Sequence, residues 1–473
     1  MPALDAELSE QDRRDRLSRW VFWSLWMMII LIAAAFYYEK AADHRSAFVR
    51  WRPQVRQFWD GVNIYDKMLF PNPPLMPITL YPLMRLPTVA GAMCWFAIKF
   101  AMTTAVLMMC FRIAQPTDRV LPPMFRSLVL LLSLRPILGD LHHGNNNLLI
   151  LFLIVSMLYA WRRGYDVGAG LLLALATTYK VTPALFFLYF AYKRSWRTVL
   201  WGSLGMGIFL LIVPSLVIGP QFNAECLGMW IHRMIMPYVA EGATSSQEVN
   251  QSVPAWLARM LIEQAPSLKR YGVKHDLNVI SLSPWLVGYV IKGVVIGLLG
   301  LLAILCRTKT TNRRDPRLLG EFALVVLTML FVSERSWKHH YVTVLLPITY
   351  LVSEFFSPRV GPRGRVAIIF AWAMSFGLMA STSPEIGGLF AEGQGHEIAQ
   401  GYGLFMWAGV VLYATVAWRV WMRRGEMPTA SRGRDAPSTP DDDPTVSLVT
   451  SRDPVGRRSL GEWSDPRRGH AGA

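Results

Sequence analysis

The chain has 473 residues, of which 53% are hydrophobic and 17% charged, and its formal net charge is +16. Soluble domains carry about 25% charged and about 45–50% apolar residues. The apolar excess comes in long runs separated by short basic stretches, which excludes an ordinary soluble enzyme and points to an all-α polytopic membrane protein. Residues 427–473 hold seven Arg and seven Asp or Glu, so the excess positive charge lies among the apolar runs. That distribution fits anionic lipid head groups and topology signals, not nucleic acid. Cys94, Cys110, Cys226 and Cys306 show no paired spacing, so neither a disulfide framework nor a zinc site is indicated.

Residues 1–19 are polar and contain Arg13, Arg14, Arg16 and Arg19, which place them in the cytoplasm. The run 20–38 is too long for a signal-peptide core and lacks a small-residue cleavage site. It is expected to be a retained anchor. Further apolar runs follow at 91–111, 126–141, 148–161, 167–179, 181–192, 198–218, 284–306, 318–332, 341–357, 366–382 and 403–422. Basic clusters alternate between them. Arg162/Arg163, Lys193/Arg194/Arg197, Arg307–Arg317, Arg359/Arg363/Arg365 and Arg419/Arg423/Arg424 suit the cytoplasmic side. The loop 383–402 has three Glu and no Lys or Arg, which suits the outside.

Two basic clusters flank 167–192, so this stretch is expected to be a tight hairpin with Lys180 and Pro183 near its apex. The expectation is about twelve membrane segments in a domain spanning 20–426, with both ends cytoplasmic. Outside loops are expected at 39–90, 219–283 and 383–402. Six prolines between Pro71 and Pro87 exclude a single helix there, and 75–86 is a candidate re-entrant or interfacial segment. Residues 427–473 are rich in Pro, Ser, Asp and Arg and read as a disordered tail.

Polar groups at membrane depth are costly and mark function. Most of them fall at the outer ends of the runs. Asp60 lies in FWDGVNIYDK, and His142, His143, Asn145, Asn146 and Asn147 lie in DLHHGNNN. Lys180 lies in TYKVTP. Asn250, Gln251, Ser252 and Arg259 occupy the large loop, and Glu334, Arg335, Trp337, Lys338, His339 and His340 belong to SERSWKHH. Five separated segments thus bring carboxylate, imidazole, amide and cationic groups to one face.

Each group also has a plain structural reading. Asp60 before Gly61 suits a turn, an Asn of the 145–147 triplet suits a helix cap, and Lys180 suits snorkelling. Neighbouring histidines on a helix point about 100° apart, so neither His pair is a ready metal chelate. Lys99, inside a run, receives no role. Together, a carboxylate base and cations that hold a phosphate are the parts needed to move a sugar from a lipid phosphate. No Walker A sequence or dinucleotide fingerprint occurs, so a nucleotide-driven pump is not supported.

With these pieces in order, the chain resembles the bacterial membrane glycosyltransferases of family 87, in the GT-C superfamily. The resemblance covers roughly 55–425. It rests on Asp60-Gly61 with Tyr65 and the Pro-rich stretch, Gly144 and Asn147, and Gly168 and Gly170 followed by Lys180 and Pro183. It also rests on Asn250-Gln251-Ser252 with Arg259, and on Ser336-Trp337 with His339-His340. Relatives commonly carry Gly-Gln-x-Asn where this chain has Gly144-Asn145-Asn146-Asn147, so acceptor specificity is not carried over.

The resemblance implies a GT-C-like bundle that transfers mannose, with inversion, from a polyprenyl phosphate to a lipid or glycan acceptor. It implies Asp60 as general base. His339, His340, Lys180 and Arg259 are expected at the donor phosphate. Tyr65, His143, Asn145, Asn147, Asn250, Gln251 and Trp337 are expected to contact substrate. With one clear loop carboxylate, metal-independent chemistry without a cofactor is favoured. The expected location is the plasma (inner) membrane, with the site on the extracytoplasmic face. The rival reading is a transporter or flippase of lipid-linked sugars, which should instead show polar residues on helices broken near the midplane.

Overall fold

A computed structural model describes residues 2–68, 70–116, 119–239, 243, 245–263 and 277–425. The tail expected at 427–473 lies outside the described residues. No strand occurs among those described, and every apolar run of the sequence is helical. Six helices are long and apolar enough to cross a membrane: Arg16–Ala42, Thr88–Ala114, Trp196–Ile218, Pro284–Leu305, Pro362–Ala380 and Leu404–Met422. The expected count of twelve spans is not reproduced by length and composition. The other runs form shorter helices or, as in Met124–His143, carry too much charge. The chain is an all-α polytopic membrane protein.

The N-terminal helix runs without a break from Pro2 to Ala42, through residue 19. Phe22, Trp26, Ile30, Tyr37 and Ala41 are buried on it at helical spacing, while Trp20, Leu31 and Phe36 are exposed. One stripe therefore packs against Thr88–Ala114 and Met124–His143, and the other faces outward. Pro316–Val332 has no such polarity. Residues 317–331 are all buried, which makes it a central helix. Pro284–Leu305 is the reverse case, a peripheral helix with only Val287, Leu302 and Leu305 buried.

The expected hairpin is present. Helix Asp166–Tyr179 ends where Lys180 adopts an extended conformation (φ −158°, ψ 129°). A short 3₁₀ turn, Thr182–Ala184, then leads into helix Leu185–Tyr192. Pro183 stands in the first turn of this helical segment, where its missing N–H costs no intrahelical bond. The first long loop contains Ala47–Trp59, Ile64–Lys67 and Leu75–Arg85, so the prolines interrupt helices without abolishing them.

The basic clusters meet at one end of the bundle. Arg313 pairs with Asp166 at 2.6 Å and Lys193 with Glu321 at 2.6 Å, while Glu354 binds Arg419 at 2.9 Å and Arg423 at 2.6 Å. The polar segments DLHHGNNN, TYKVTP and SERSWKHH meet at the other end. Helix Asn147–Arg162 links the two, with Asn147 at the polar site and Arg162 about 22 Å away at a rise of about 1.5 Å per residue.

Candidate active site

A cavity of about 1120 Å³ opens among the outer-end segments. Its polar end is lined by Arg50, Asn72, His143, Asn145, Lys180, Glu334, Arg335, Trp337 and His340. Its apolar arm lies between two helices. Leu185 and Leu188 form one wall, and Gly288, Ile291, Lys292, Val295 and Leu299 form the other. The second set recurs at three- and four-residue spacing, so a single face of Pro284–Leu305 lines the arm over about three turns.

Lys180 is held by a buried chain of polar contacts. Lys99 Nζ pairs with Asp140 Oδ2 at 2.9 Å and donates to the Asp140 carbonyl at 2.6 Å. Asn147 Nδ2 donates to Asp140 Oδ1 at 3.0 Å, and Lys180 Nζ donates to Asn147 Oδ1 at 2.8 Å. The amide thus orients the ammonium while Lys99 neutralises the carboxylate. Burial pushes the Lys180 ammonium down to about 7, against the pull of Asp140.

The imidazoles form a second group. His143 stacks on His339 with centroids 4.3 Å apart, and Asn145 Nδ2 donates to His339 Nε2 at 3.0 Å. The Trp337 N–H and the Arg335 carbonyl both lie within reach of His340 Nδ1, at 3.2 Å and 3.1 Å. Burial lowers His339 and His340 well below the usual imidazole range and His143 to about 3. All three are neutral at pH 7 and act as hydrogen-bonding groups, not as charges. Among the described residues no set of three or more His, Cys, Asp or Glu converges on a metal position.

Of the expected site residues, the cavity gathers Lys180, His143, Asn145, Trp337 and His340 at its surface. His339 and Asn147 stand directly behind them. Trp337 Nε1 is buried and has no hydrogen-bond partner among the described residues, leaving a donor at the cavity wall. Four other residues support the wall without lining it. Arg259 Nε donates to the Gly401 carbonyl at 2.9 Å, and its Nη1 donates to the carbonyls of Gln247 at 2.8 Å and Asn250 at 2.9 Å. Asn250 Nδ2 donates to the Glu334 carbonyl at 2.7 Å, and the Gln251 N–H donates to the Ser336 carbonyl at 2.6 Å. Tyr65 is fully buried and donates to the Asn72 carbonyl at 2.9 Å.

Asp60 is elsewhere. It follows helix Ala47–Trp59 as an exposed C-cap before Gly61, whose φ is +81°, and it does not line the cavity. Sequence reasoning passed over Arg50, Trp51 and Gln54, which project from that same helix into the cavity. Gln54 is three residues from Trp51 and four from Arg50, which places it on one face with both, and that is the signal that could have found them. It also left Glu334 and Arg335 without roles.

Comparison with known proteins agrees with this architecture. The chain is 22% identical over 356 residues to a Mycobacterium tuberculosis protein, covering 70% of this chain and 76% of that one. That relative is named as a polyprenol-phosphate-mannose-dependent alpha-(1-2)-phosphatidylinositol mannoside mannosyltransferase. A Mycolicibacterium smegmatis protein of the same name is 24% identical over 212 residues, covering 45% of this chain and 42% of its own. No solved structure matches the chain. The family model of glycosyltransferase family 87 matches residues 70–333, more than half of the chain, and the chain belongs to that family.

Proposed function

We propose that this glycosyltransferase moves mannose from a polyprenyl phosphate to a lipid acceptor of the phosphatidylinositol mannoside type. The carrying observation is the cavity itself, whose cationic and amide-rich end continues into an apolar arm between two helices. A sugar phosphate on a long hydrocarbon chain needs both parts in one space. Lys180, Trp337 and His340 are the groups suited to the phosphate. The ammonium offers charge-assisted hydrogen bonds and the rings offer neutral N–H donors. The names of the two mycobacterial relatives supply the sugar and the acceptor class.

The reaction in this reading is a single displacement with inversion. The acceptor hydroxyl attacks the anomeric carbon opposite the phosphate, the sugar–phosphate bond breaks, and a carboxylate receives the hydroxyl proton. The site faces the extracytoplasmic side, as charge parity of the loops requires. The test is incubation of the purified protein with labelled polyprenyl-phosphate-mannose and phosphatidylinositol mannosides. The expected result is a new labelled glycolipid with an α linkage. Label that stays on the donor with every lipid and glycan acceptor offered would refute the reading. Protein-dependent movement of intact donor across vesicles would favour a flippase instead.

A further inference from the structure

We infer that one face of helix Ala47–Trp59 is the subsite for the head of the acceptor lipid, with Arg50 taking its phosphodiester and Trp51 and Gln54 its sugar rings. The inference rests on the glycosyl-transfer reading above and adds where the second substrate is held. Ala47, Arg50, Trp51 and Gln54 all line the cavity. They recur at i, i+3, i+4 and i+7, so a single stripe of the helix faces the cavity over two turns.

The opposite stripe fastens the helix in place. Phe48 and Val55 are buried. Between them, Arg52 Nε donates to the Met84 carbonyl at 2.9 Å and its Nη2 to the Leu86 carbonyl at 2.5 Å. The buried Ser46 hydroxyl closes the first turn by accepting the Val49 N–H at 3.3 Å. The cavity-facing side chains are thus carried on a fixed element, yet their polar ends are unpaired. Among the described residues the side chains of Arg50 and Gln54 make no hydrogen bond or ion pair. Trp51 is half-buried and packs edge-on against Phe70, with centroids 6.2 Å apart. A guanidinium pairs with two phosphate oxygens at once, and an amide gives and accepts hydrogen bonds with hydroxyls. An indole offers a flat apolar platform to the C–H face of a sugar ring. In one row they suit an anionic glycan.

Charge and space both call for a second ligand. Four basic side chains line the cavity, Arg50, Lys180, Lys292 and Arg335, against one acidic side chain, Glu334. The donor phosphodiester brings one negative charge and leaves positive charge over for another anion. Arg50 also stands apart from Lys180. Burial is the main cause that keeps the imidazoles neutral, and among the charges that add to it Arg50 acts on His143, whereas Lys180 acts on His339 and His340. The cavity of about 1120 Å³ lies above the range of about 300–1,000 Å³ for a pocket that holds one small ligand.

The experiment measures donor KM and acceptor KM separately for Arg50→Gln, Arg50→Lys, Trp51→Leu and Gln54→Ala, with phosphatidylinositol mannoside as acceptor. Neutral phosphatidylcholine vesicles and vesicles containing phosphatidylglycerol are used in parallel, and acceptor binding to donor-free protein is titrated alongside. Arg50→Gln is expected to raise acceptor KM about 10-fold or more in neutral vesicles, the loss of a charge-assisted hydrogen bond. Arg50→Lys should recover part of that. Trp51→Leu and Gln54→Ala should raise acceptor KM by about 2- to 12-fold. Donor KM should stay within about twofold in all four. Arg50 is exposed, so its replacement leaves the packing of the helix untouched. The inference is overturned if Arg50→Gln leaves acceptor KM within about twofold of wild type, or if donor KM rises in place of it. A loss confined to vesicles with phosphatidylglycerol would also overturn it, by assigning Arg50 to the bilayer surface. Wild-type protein that forms no product refutes the transfer reading, and the titration then decides the subsite separately. It stands if phosphatidylinositol mannoside binds wild type more tightly than Arg50→Gln, and falls if the two bind alike.

Discussion

If Lys180 holds the donor phosphate as proposed, donor affinity should be a steep function of pH. The Lys180 ammonium sits at about 7 because burial penalises the charge more than Asp140 favours it. A phosphodiester donor stays singly negative across neutral pH, so any change in its binding comes from the protein. The sign is fixed by linkage. The phosphate binds the protonated lysine, and the empty site loses that proton as pH rises through about 7. Half of the lysines are charged at pH 7 and about one in a hundred at pH 9. Donor KM should therefore rise over that range by up to about 50-fold, or about 2.3 kcal/mol at about 1.36 kcal/mol per pH unit, the limit reached when the neutral lysine contributes no binding.

Lys180→Met removes the charge-assisted bond and should raise KM about 10- to 150-fold at pH 7, corresponding to about 1.5–3 kcal/mol. It should also flatten the dependence on pH. Lys180→Arg keeps a permanent charge and should be flat as well, at a different affinity. The assay is initial-rate transfer from labelled donor at saturating acceptor. The flanking imidazoles titrate well below this range, and Glu334, raised to about 7 in the same cavity, is separated from Lys180 by the Lys180→Met slope. A wild-type donor KM that is constant from pH 7 to 9, or an equal slope in Lys180→Met, would refute the reasoning.

Arg259→Met should lower thermal stability and leave donor KM nearly unchanged, because the guanidinium serves three backbone carbonyls and not the cavity. Each buried group left without a partner costs about 1–3 kcal/mol, which a melting curve in detergent resolves. Lys99→Met should cost about 3–5 kcal/mol by leaving Asp140 charged and unpaired, and Lys99→Met with Asp140→Asn should cost less than the two singly. For topology, Cys94 is the exposed native cysteine, so labelling is done in a Cys94→Ser background. Asp60→Cys should react with an impermeant maleimide from outside and Arg163→Cys only after the membrane is opened; the reverse pattern would invert the proposed face.

The helices were legible because apolar runs of this length have few alternatives, and the hairpin was legible because charge parity required an even crossing. The site was legible by segment and not by side chain. Sequence places the DLHHGNNN turn, Lys180 and SERSWKHH at one end, but it does not say which way each group points. A polar residue beside a membrane has two uses. It can meet a ligand, or it can satisfy backbone groups that a proline-broken loop leaves open. Arg259, Asn250 and Gln251 serve the second use, and only the fold separates them from Asn145 or Trp337. Lys99 was readable in principle. It and Asp140 are opposite charges inside two apolar runs, and such charges are expected to find each other. Asp60 is the harder case, because a loop carboxylate before glycine looks the same in sequence at a cavity mouth and at an exposed helix end.

The wall that carries Lys180 is built with no clearance. A Cβ on Gly170 would lie 2.6 Å from the Thr198 carbonyl oxygen and 2.7 Å from the Gly202 nitrogen. One on Gly202 would lie 2.6 Å from the Phe187 ring, and one on Gly205 2.7 Å from the Ala174 Cβ. Helices Asp166–Tyr179, Leu185–Tyr192 and Trp196–Gly207 therefore behave as one rigid block, with the ammonium fixed to its rim. A methyl group added at Gly170, ten positions from Lys180, would tilt that block without touching any ligand. Displacements of about 1 Å at reacting groups cost about 10²-fold in rate. Randomly generated loss-of-function variants should thus cluster at these three glycines as densely as around the cavity, and suppressors of Gly202 variants should arise as smaller residues at Phe187.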